Sequence, residues 1–253
     1  MNCWNFQNAI VPVTGAASGI GLAICKRLRQ EGASPLLLDV NAEQLENALR
    51  QVYAGEDASR YGYVVDVRDS RAVDDCFERA RREHGLVTHA VANAGVVGRG
   101  HALELPDELW HRVLDVNLNG AFYTCRAAAR QLVERRGGAI VTMASIAGLL
   151  AKQHRVAYTS SKAAVINMTR TLALDLGGYG IRINGVAPGI TDTPQQGENP
   201  RDAVEALAGR SALQRLAAPE EIANVVLFLL SDLASYVTGH TVVADGGLSV
   251  RYA

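Results

Sequence analysis

Short apolar runs alternate with stretches whose apolar residues recur every three or four positions, along nearly the whole chain. The runs are 9–14, 35–40, 61–67, 88–93, 139–144, 181–187 and 241–244. Most are rich in Val, Ile or Leu and lack the in–out alternation of a half-exposed strand. That is how a parallel strand reads when helices cover both faces of its sheet. The helical stretches between them are 19–31, 42–54, 70–84, 107–135, 157–176 and 219–230. Two open with proline at the first turn and acids beside the positive helix end, Pro106-Asp107-Glu108 and Pro219-Glu220-Glu221. The pattern predicts an α/β chain with a doubly wound, seven-stranded parallel sheet, right-handed crossovers and helices on both faces. No repeat, low-complexity tract or linker divides it, so 1–253 reads as one domain. One conflict stands inside the first run: Pro12 lacks an N–H, so either a ladder bond is missing there or the strand is locally irregular. The least regular stretch is 191–209, with Pro194, Gly197 and Pro200. Such a segment reads as a lid, here near 191–214.

Composition narrows the partners. The 253 residues carry 25 Lys+Arg against 26 Asp+Glu, a net charge of −1, whereas a general nucleic-acid binder usually presents a basic face. Hydrophobic residues are 48% and charged residues 20%, so a folded core is expected rather than disorder. The apolar stretch 223–230 is broken by Asn224, and no run approaches the ~20 residues of a membrane helix. The opening Met1-Asn2-Cys3-Trp4-Asn5 lacks the basic start and apolar centre of a signal peptide. Cys3, Cys25, Cys76 and Cys125 form no Cys-x-x-Cys pair, and a reduced, cytoplasmic chain is expected. His84, His89, His101, His111 and His240 have no ligand spacing, so no catalytic metal is expected. Glycine is abundant, at 24 residues.

Where the glycines sit carries the first chemistry. The first run ends in Thr14-Gly15-Ala16-Ala17-Ser18-Gly19-Ile20-Gly21, directly before a helical stretch. Such a turn lets the backbone approach a pyrophosphate at a helix N-terminus, although any tight strand–helix turn reads similarly. The second run reaches Asp39, 18 residues after Gly21. A carboxylate there accepts both hydroxyls of an adenosine ribose and repels a 2′-phosphate. Neither Arg nor Lys stands at 16–18 or directly after Asp39. Together these predict NAD rather than NADP. Asp66-Val67 and Asn93-Ala94-Gly95 close the third and fourth runs, at the carboxyl edge where ligands bind in open α/β sheets.

Tyr158 and Lys162 are one helical turn apart and share a face. An ammonium beside a phenol favours the phenolate and fits the tyrosine for proton exchange, although the same pair is ordinary on a helix surface. Ser145 follows the fifth run, 13 residues before Tyr158, where its hydroxyl can meet a reacting oxygen. Asn117, 28 residues before Ser145, reads either as a buried structural group or as the holder of a proton-relaying water.

These residues, together with Pro188-Gly189, occur in the order and at the spacings of a known family. Over nearly its whole length the chain resembles the short-chain dehydrogenases/reductases. The resemblance implies a single-domain Rossmann fold that binds NAD through Gly15, Ser18, Gly19, Ile20, Gly21, Asp39, Asp66, Val67, Asn93, Ala94, Gly95, Tyr158, Lys162, Pro188, Gly189, Thr191 and Thr193. Tyr158 would be the general acid/base, and Lys162 would bind the nicotinamide ribose and lower the tyrosine pKa. Ser145 would stabilise the substrate oxygen and Asn117 would support the proton relay. Asn93 would lie near the adenosine-side ribose, with Asp66 and Val67 near adenine. Ile190 would border nicotinamide, Thr191 would hold its carboxamide and Thr193 would approach the pyrophosphate. A homotetramer is also implied, built on the long helices and the C-terminal helix and strand. Two departures stand out: Ala92 precedes Asn93 where the family often has a second Asn, and Pro12 replaces an ordinary strand residue.

The expected activity is NAD-dependent interconversion of a secondary alcohol and a ketone. The alternatives are an oxoacyl-thioester reductase of the same family and a non-catalytic nucleotide-binding sensor or scaffold. Oxoacyl-thioester reductases commonly use NADP, against which Asp39 counts, and a scaffold has no need of Ser145, Tyr158 and Lys162. For the small-molecule substrate, Ala147 and Arg155 are the candidate contacts. Arg155 lies three residues before Tyr158, beside Lys152 and His154. Its guanidinium can take a carboxylate in bidentate fashion, or serve as a solvated or subunit-interface cation. Val96, Val97, Ile146, Leu149 and Leu150 suggest an apolar wall.

Overall fold

The computed structural model describes residue 4 and residues 6–55, 57–194 and 201–250. Of the positions named above, Met1, Asn2, Cys3, Asn5, Gly197 and Pro200 lie outside the described residues. Seven strands form one parallel sheet: β1 (Ile10–Thr14), β2 (Ser34–Asp39), β3 (Gly62–Val64), β4 (His89–Ala92), β5 (Gly138–Met143), β6 (Ile181–Pro188) and β7 (Thr241–Ala244). Their order is β3-β2-β1-β4-β5-β6-β7. The order reverses between β1 and β4, and a crevice opens beyond the carboxyl ends of strands at such a switch point.

Among the described residues, eight α-helices fill the connections: α1 (Gly19–Gln30), α2 (Ala42–Val52), α3 (Ser70–His84), α4 (Asp107–Leu114), α5 (Gly120–Arg135), α6 (Val156–Leu176), α7 (Arg201–Ala208) and α8 (Pro219–Leu230). The strands are apolar throughout because successive side chains enter different cores. Val11, Val13, Leu37 and Val141 pack with α1, α2 and α8 residues such as Ile24, Leu28, Leu45, Ile222 and Leu227. On the other face Leu36, Leu38, Ala90 and Ile140 pack with Phe77, Leu132 and Val165 from α3, α5 and α6.

Three sequence expectations change, and the alternative left open at Pro12 is resolved as a missing ladder bond in a regular strand. The stretch 107–135 is not one helix: a π-helical turn over Asp115–Asn119 separates α4 from α5. The third strand shortens to Gly62–Val64, so Asp66 and Val67 lie just past its end, and Tyr61 closes a 3-10 turn. The segment 191–209, read as irregular, contains α7. Pro12 keeps β1 in regular register with β2, Pro12 opposite Leu36. Backbone groups alternate sides along a parallel strand, and the Ile10 carbonyl accepts from Thr88 N–H at 2.9 Å. The missing Pro12 donor therefore faces β4, where Val13 and Val91 are the one register pair. Thr88 Oγ1 compensates in part, accepting from Ile10 N–H at 3.1 Å.

Candidate active site

The glycine turn is shaped by close packing. Gly15 and Gly19 have left-handed backbones, φ +63° and +52°, which side-chain-bearing residues adopt at a cost. A Cβ on Gly21 would fall 2.1 Å from the Gly15 carbonyl oxygen and 2.6 Å from Asn93 Nδ2. Ser18 precedes α1 in extended conformation without a side-chain capping bond, and the first turn of α1 holds no acid. The positive helix end is thus left open to an anion.

Neighbouring strand ends brace this turn. Thr14 Oγ1 accepts from the N–H groups of Asn93 (3.0 Å) and Ala94 (3.2 Å). Asn93 Nδ2 donates to the carbonyls of Thr14 (2.9 Å) and Gly15 (3.1 Å). The Asn93 amide nitrogen, assigned to the ribose region from the resemblance, therefore bonds to the turn itself. Thr14, which opens the glycine motif, is the hub that ties β1 to β4. Asp39 Oδ2 accepts from Ala17 N–H at 3.1 Å and Oδ1 from Asn41 N–H at 3.0 Å, so the β2 carboxylate stands against the glycine turn. Asp66 is held by Arg68, with Nη2–Oδ2 at 2.6 Å and Nε contacts at 2.9 and 3.0 Å. The guanidinium lowers the Asp66 pKa below the usual carboxylate value. Val67 packs against Gly120, where a Cβ would lie 2.7 Å from Val67 Cγ2.

The second half of the site gathers around α6. Buried Ala157, Ser161, Lys162, Val165, Ile166, Thr169 and Ala173 form the inward stripe of this helix. Lys162 is 4% exposed, and its Nζ donates to the Met143 carbonyl at the end of β5 at 2.7 Å. Burial lowers its pKa to about 8. Gly95 leaves room here, since a Cβ on it would sit 3.3 Å from Lys162 Nζ and 3.4 Å from Asn117 Oδ1. Ser145 follows β5 and accepts from Ala147 N–H at 3.1 Å, and its hydroxyl pulls the Tyr158 pKa down. Lys162 Nζ lies 5.9 Å from the Tyr158 ring centre.

The Tyr158 pKa lies above the ordinary phenol value, because burial outweighs the Ser145 hydroxyl and the positive charge of Arg155, both of which pull it down. The cation that favours the phenolate here is Arg155, on the residue before α6, whereas Lys162 directs its ammonium at Met143.

Asn117 lies in the π-helical turn and is 1% exposed. Its Oδ1 accepts from Val96 N–H at 2.8 Å, and Nδ2 donates to the Val96 carbonyl and to Ser161 Oγ, both at 3.0 Å. It fastens the chain after β4 to α6. Ser161, not singled out from sequence, completes this link by donating to the Tyr158 carbonyl at 2.7 Å.

Pro188 ends β6 opposite Ala244, and Gly189 lies so close to Asp245 that a Cβ would meet its Cα at 2.7 Å. Ile190 lines a cavity of about 310 Å³ together with Leu213, Ile222 and Val225. Thr191 is 4% exposed and its Oγ1 is buried without a hydrogen-bond partner. Thr193 sits against Gly19, 3.3 Å from where a Cβ would be. A dinucleotide fits these features: a glycine cradle that a Cβ would fill, an open positive helix end, and an orphaned buried hydroxyl on the loop above. Among the described residues no group of three or more His, Cys, Asp or Glu is arranged to hold a metal ion.

The sheet and the glycine turn fit a dinucleotide-binding fold, and Lys162, near the Tyr158 ring, reaches the end of β5, which Ser145 follows. A family model described as enoyl-(acyl carrier protein) reductase matches residues 15–249. The chain is 37% identical over 244 residues to 3-oxoacyl-(acyl-carrier-protein) reductase of Thermotoga maritima, covering 96% of this chain and 99% of that protein. It is 38% identical over 245 residues to cis-4-hydroxycyclohexanecarboxylate dehydrogenase of Sinomonas cyclohexanicum, covering 96% and 97%. The crystal structure of an NAD+-bound xylitol dehydrogenase superposes with a TM-score of 0.89 at 32% identity, covering 96% and 99%. The chain belongs to the short-chain dehydrogenase/reductase family.

Proposed function

We propose that the chain interconverts a secondary alcohol and a ketone with NAD as its cofactor and Tyr158 as the general acid/base. The observation that carries this reading is the placement of buried Lys162 at the end of β5, its Nζ on the Met143 carbonyl and 5.9 Å from the Tyr158 ring centre, with Ser145 two residues beyond Met143. Bound nicotinamide supplies the hydride donor or acceptor. Ser145 and Tyr158 present two hydroxyls to one substrate oxygen. In the reducing direction Tyr158 gives its proton to the carbonyl oxygen, and its raised pKa keeps that proton available near neutrality. In the oxidising direction the phenolate takes the alcohol proton, favoured by the Arg155 charge and the Ser145 hydroxyl, which both lower the Tyr158 pKa.

The residues proposed to hold the cofactor are Gly15, Ser18, Gly19, Ile20 and Gly21 at the pyrophosphate, and Asp39 at the adenosine ribose. Asp66, Val67, Asn93, Ala94 and Gly95 would line the adenosine side. Lys162, Pro188, Gly189, Thr191 and Thr193 would line the nicotinamide side. Asp39 favours NAD: its carboxylate occupies the end of β2 against Ala17, where a 2′-phosphate would be repelled. The segment near 191–214 would close over the substrate as a lid on a single domain. The proposed assembly is a homotetramer in the cytoplasm, with no nucleic-acid or membrane partner. Phe122 of α5, Val156 and Leu174 of α6, and Tyr179 just beyond are exposed apolar side chains that would suit such an assembly. Among the described residues, no helix is long and apolar enough to cross a membrane.

The second reading, reduction of an oxoacyl thioester, is favoured by the Thermotoga maritima relative. A screen of the purified chain separates the two. Secondary alcohols, diols, sugars and hydroxy acids with NAD+ or NADP+ are followed by nicotinamide absorbance, with oxoacyl thioesters run in reverse. Alcohol oxidation with NAD+ at a kcat/KM at least about tenfold above NADP+ is expected. Turnover confined to thioesters with NADPH would replace this reading by the second.

A further inference from the structure

Helix α6 is gripped from two sides at one turn. On the Ser145 side the contact is close packing. A Cβ on Gly148, which ends the turn after Ser145, would fall 2.7 Å from the Lys162 carbonyl carbon and 2.8 Å from Ala163 N. On the β4 side the contact is polar and runs through Ser161, which is 0% exposed. Ser161 Oγ donates to the Tyr158 carbonyl at 2.7 Å and accepts from Asn117 Nδ2 at 3.0 Å. Asn117 in turn engages both backbone groups of Val96: Oδ1 accepts from the N–H at 2.8 Å, and Nδ2 donates to the carbonyl at 3.0 Å. A continuous run of bonds thus leads from the segment after Gly95, through the π-helical turn, to the backbone of Tyr158.

Resting on the oxidoreductase reading above, we propose that Ser161 is a positioning residue for proton transfer: its hydroxyl carries the placement of Val96 and Asn117 to the backbone of Tyr158 and so sets the phenol against the segment after β4. A serine inside a helix satisfies itself by donating back to a carbonyl of the preceding turn, so α6 alone accounts only for the bond to Tyr158. The bond from Asn117 is additional and joins residues 44 positions apart. Asn117 lies in the π-helical turn over Asp115–Asn119, and such departures from α geometry are frequent at functional sites. The hydroxyl proton of Ser161 is committed to the Tyr158 carbonyl, so this residue acts through Asn117 and Tyr158 and not on the substrate. Without the hydroxyl, one N–H of Asn117 is left buried with no acceptor, and the carboxamide loses the partner that orients it. The surroundings make that orientation matter. A Cβ on Gly95 would stand 3.4 Å from Asn117 Oδ1 and 3.3 Å from Lys162 Nζ, so a turned carboxamide disturbs the ground beside Lys162 as well as Val96.

The test compares the full chain with Ser161→Ala, Asn117→Ala, the two combined, and Ser161→Thr, which keeps the hydroxyl. Measured for each are kcat and KM on the best alcohol from the screen, the NADH Kd by fluorescence, Tm, and amide hydrogen exchange over residues 93–98. Ser161→Ala should lower kcat at least about tenfold while KM and the NADH Kd stay within about twofold. Exchange at Val96 should quicken severalfold in the same variant. Ser161→Thr should recover most of the lost kcat. Because the serine acts through Asn117, adding Ser161→Ala to Asn117→Ala should cost less than about twofold more. A serine that only stabilises the fold would lower Tm without separating kcat from KM. Unchanged kcat in Ser161→Ala, losses that multiply in the combined variant, or a Ser161→Thr protein as stable as wild type yet as slow as Ser161→Ala would overturn the proposal. A wild-type chain that turns over no alcohol or thioester would count instead against the oxidoreductase reading. Exchange at Val96 still reports on the link in that case, and exchange unchanged by Ser161→Ala overturns the proposal either way.

Discussion

Lys162 meets two opposed demands. It must be buried to reach the floor of the site, where Nζ donates to the Met143 carbonyl at 2.7 Å, and burial weakens its charge. Its pKa falls from 10.5 to about 8. The folded protein therefore binds fewer protons than the unfolded chain between about pH 8 and 10.5, and stability gains from this residue as pH rises through that window. Below about 8 both states carry the proton and the desolvation cost is fully present. Lys162→Met removes this dependence. Thermal melts without cofactor should show the wild-type Tm gaining on Lys162→Met by a few degrees from roughly pH 7 to 10. A constant difference would contradict a buried, titrating lysine. The Lys162–Tyr158 pairing was legible from spacing alone, but the direction of the Tyr158 shift was not. Spacing reports which side chains share a face; desolvation depends on what covers them.

The turn between β1 and α1 shows what an element-level pattern can carry. Its glycines could be read directly, because a left-handed backbone and a sub-van-der-Waals approach leave few other residues. Gly21→Ala tests that packing. A methyl group 2.1 Å from the Gly15 carbonyl should destabilise the protein by about 1–3 kcal/mol in denaturant melts and weaken NADH binding at least about tenfold, as α1 moves from the turn. Unchanged affinity and stability would show that the turn is loose. The π-helical turn at Asp115–Asn119 escaped the sequence reading for a physical reason. One extra residue in a turn barely disturbs an apolar repeat near 3.6. What makes it necessary are the hydrogen bonds of Asn117 to Val96 and Ser161, which join residues 21 and 44 positions apart. The short α7 was hidden by the prolines and glycine of its surroundings. The third strand read too long because Val65 and Val67 stay buried just after pairing ends.

At the scale of the molecule, the sheet order follows from runs of apolar sequence and the handedness of crossovers, and the switch between β1 and β4 sets where chemistry belongs. Assembly is less legible, since an exposed Leu174 or Phe122 reads from sequence like any core residue. Sedimentation at micromolar concentration should give a mass about four times the 27.0 kDa of one chain; a monomer would refute the proposed tetramer. All of these features serve one claim, that Tyr158 moves the proton that accompanies hydride transfer. Its most direct test compares wild type with Tyr158→Phe, measuring kcat on the best alcohol from the screen and the NADH Kd by fluorescence. The account predicts a loss of about 10²- to 10⁴-fold in kcat with the Kd nearly unchanged. Full turnover by Tyr158→Phe would contradict it.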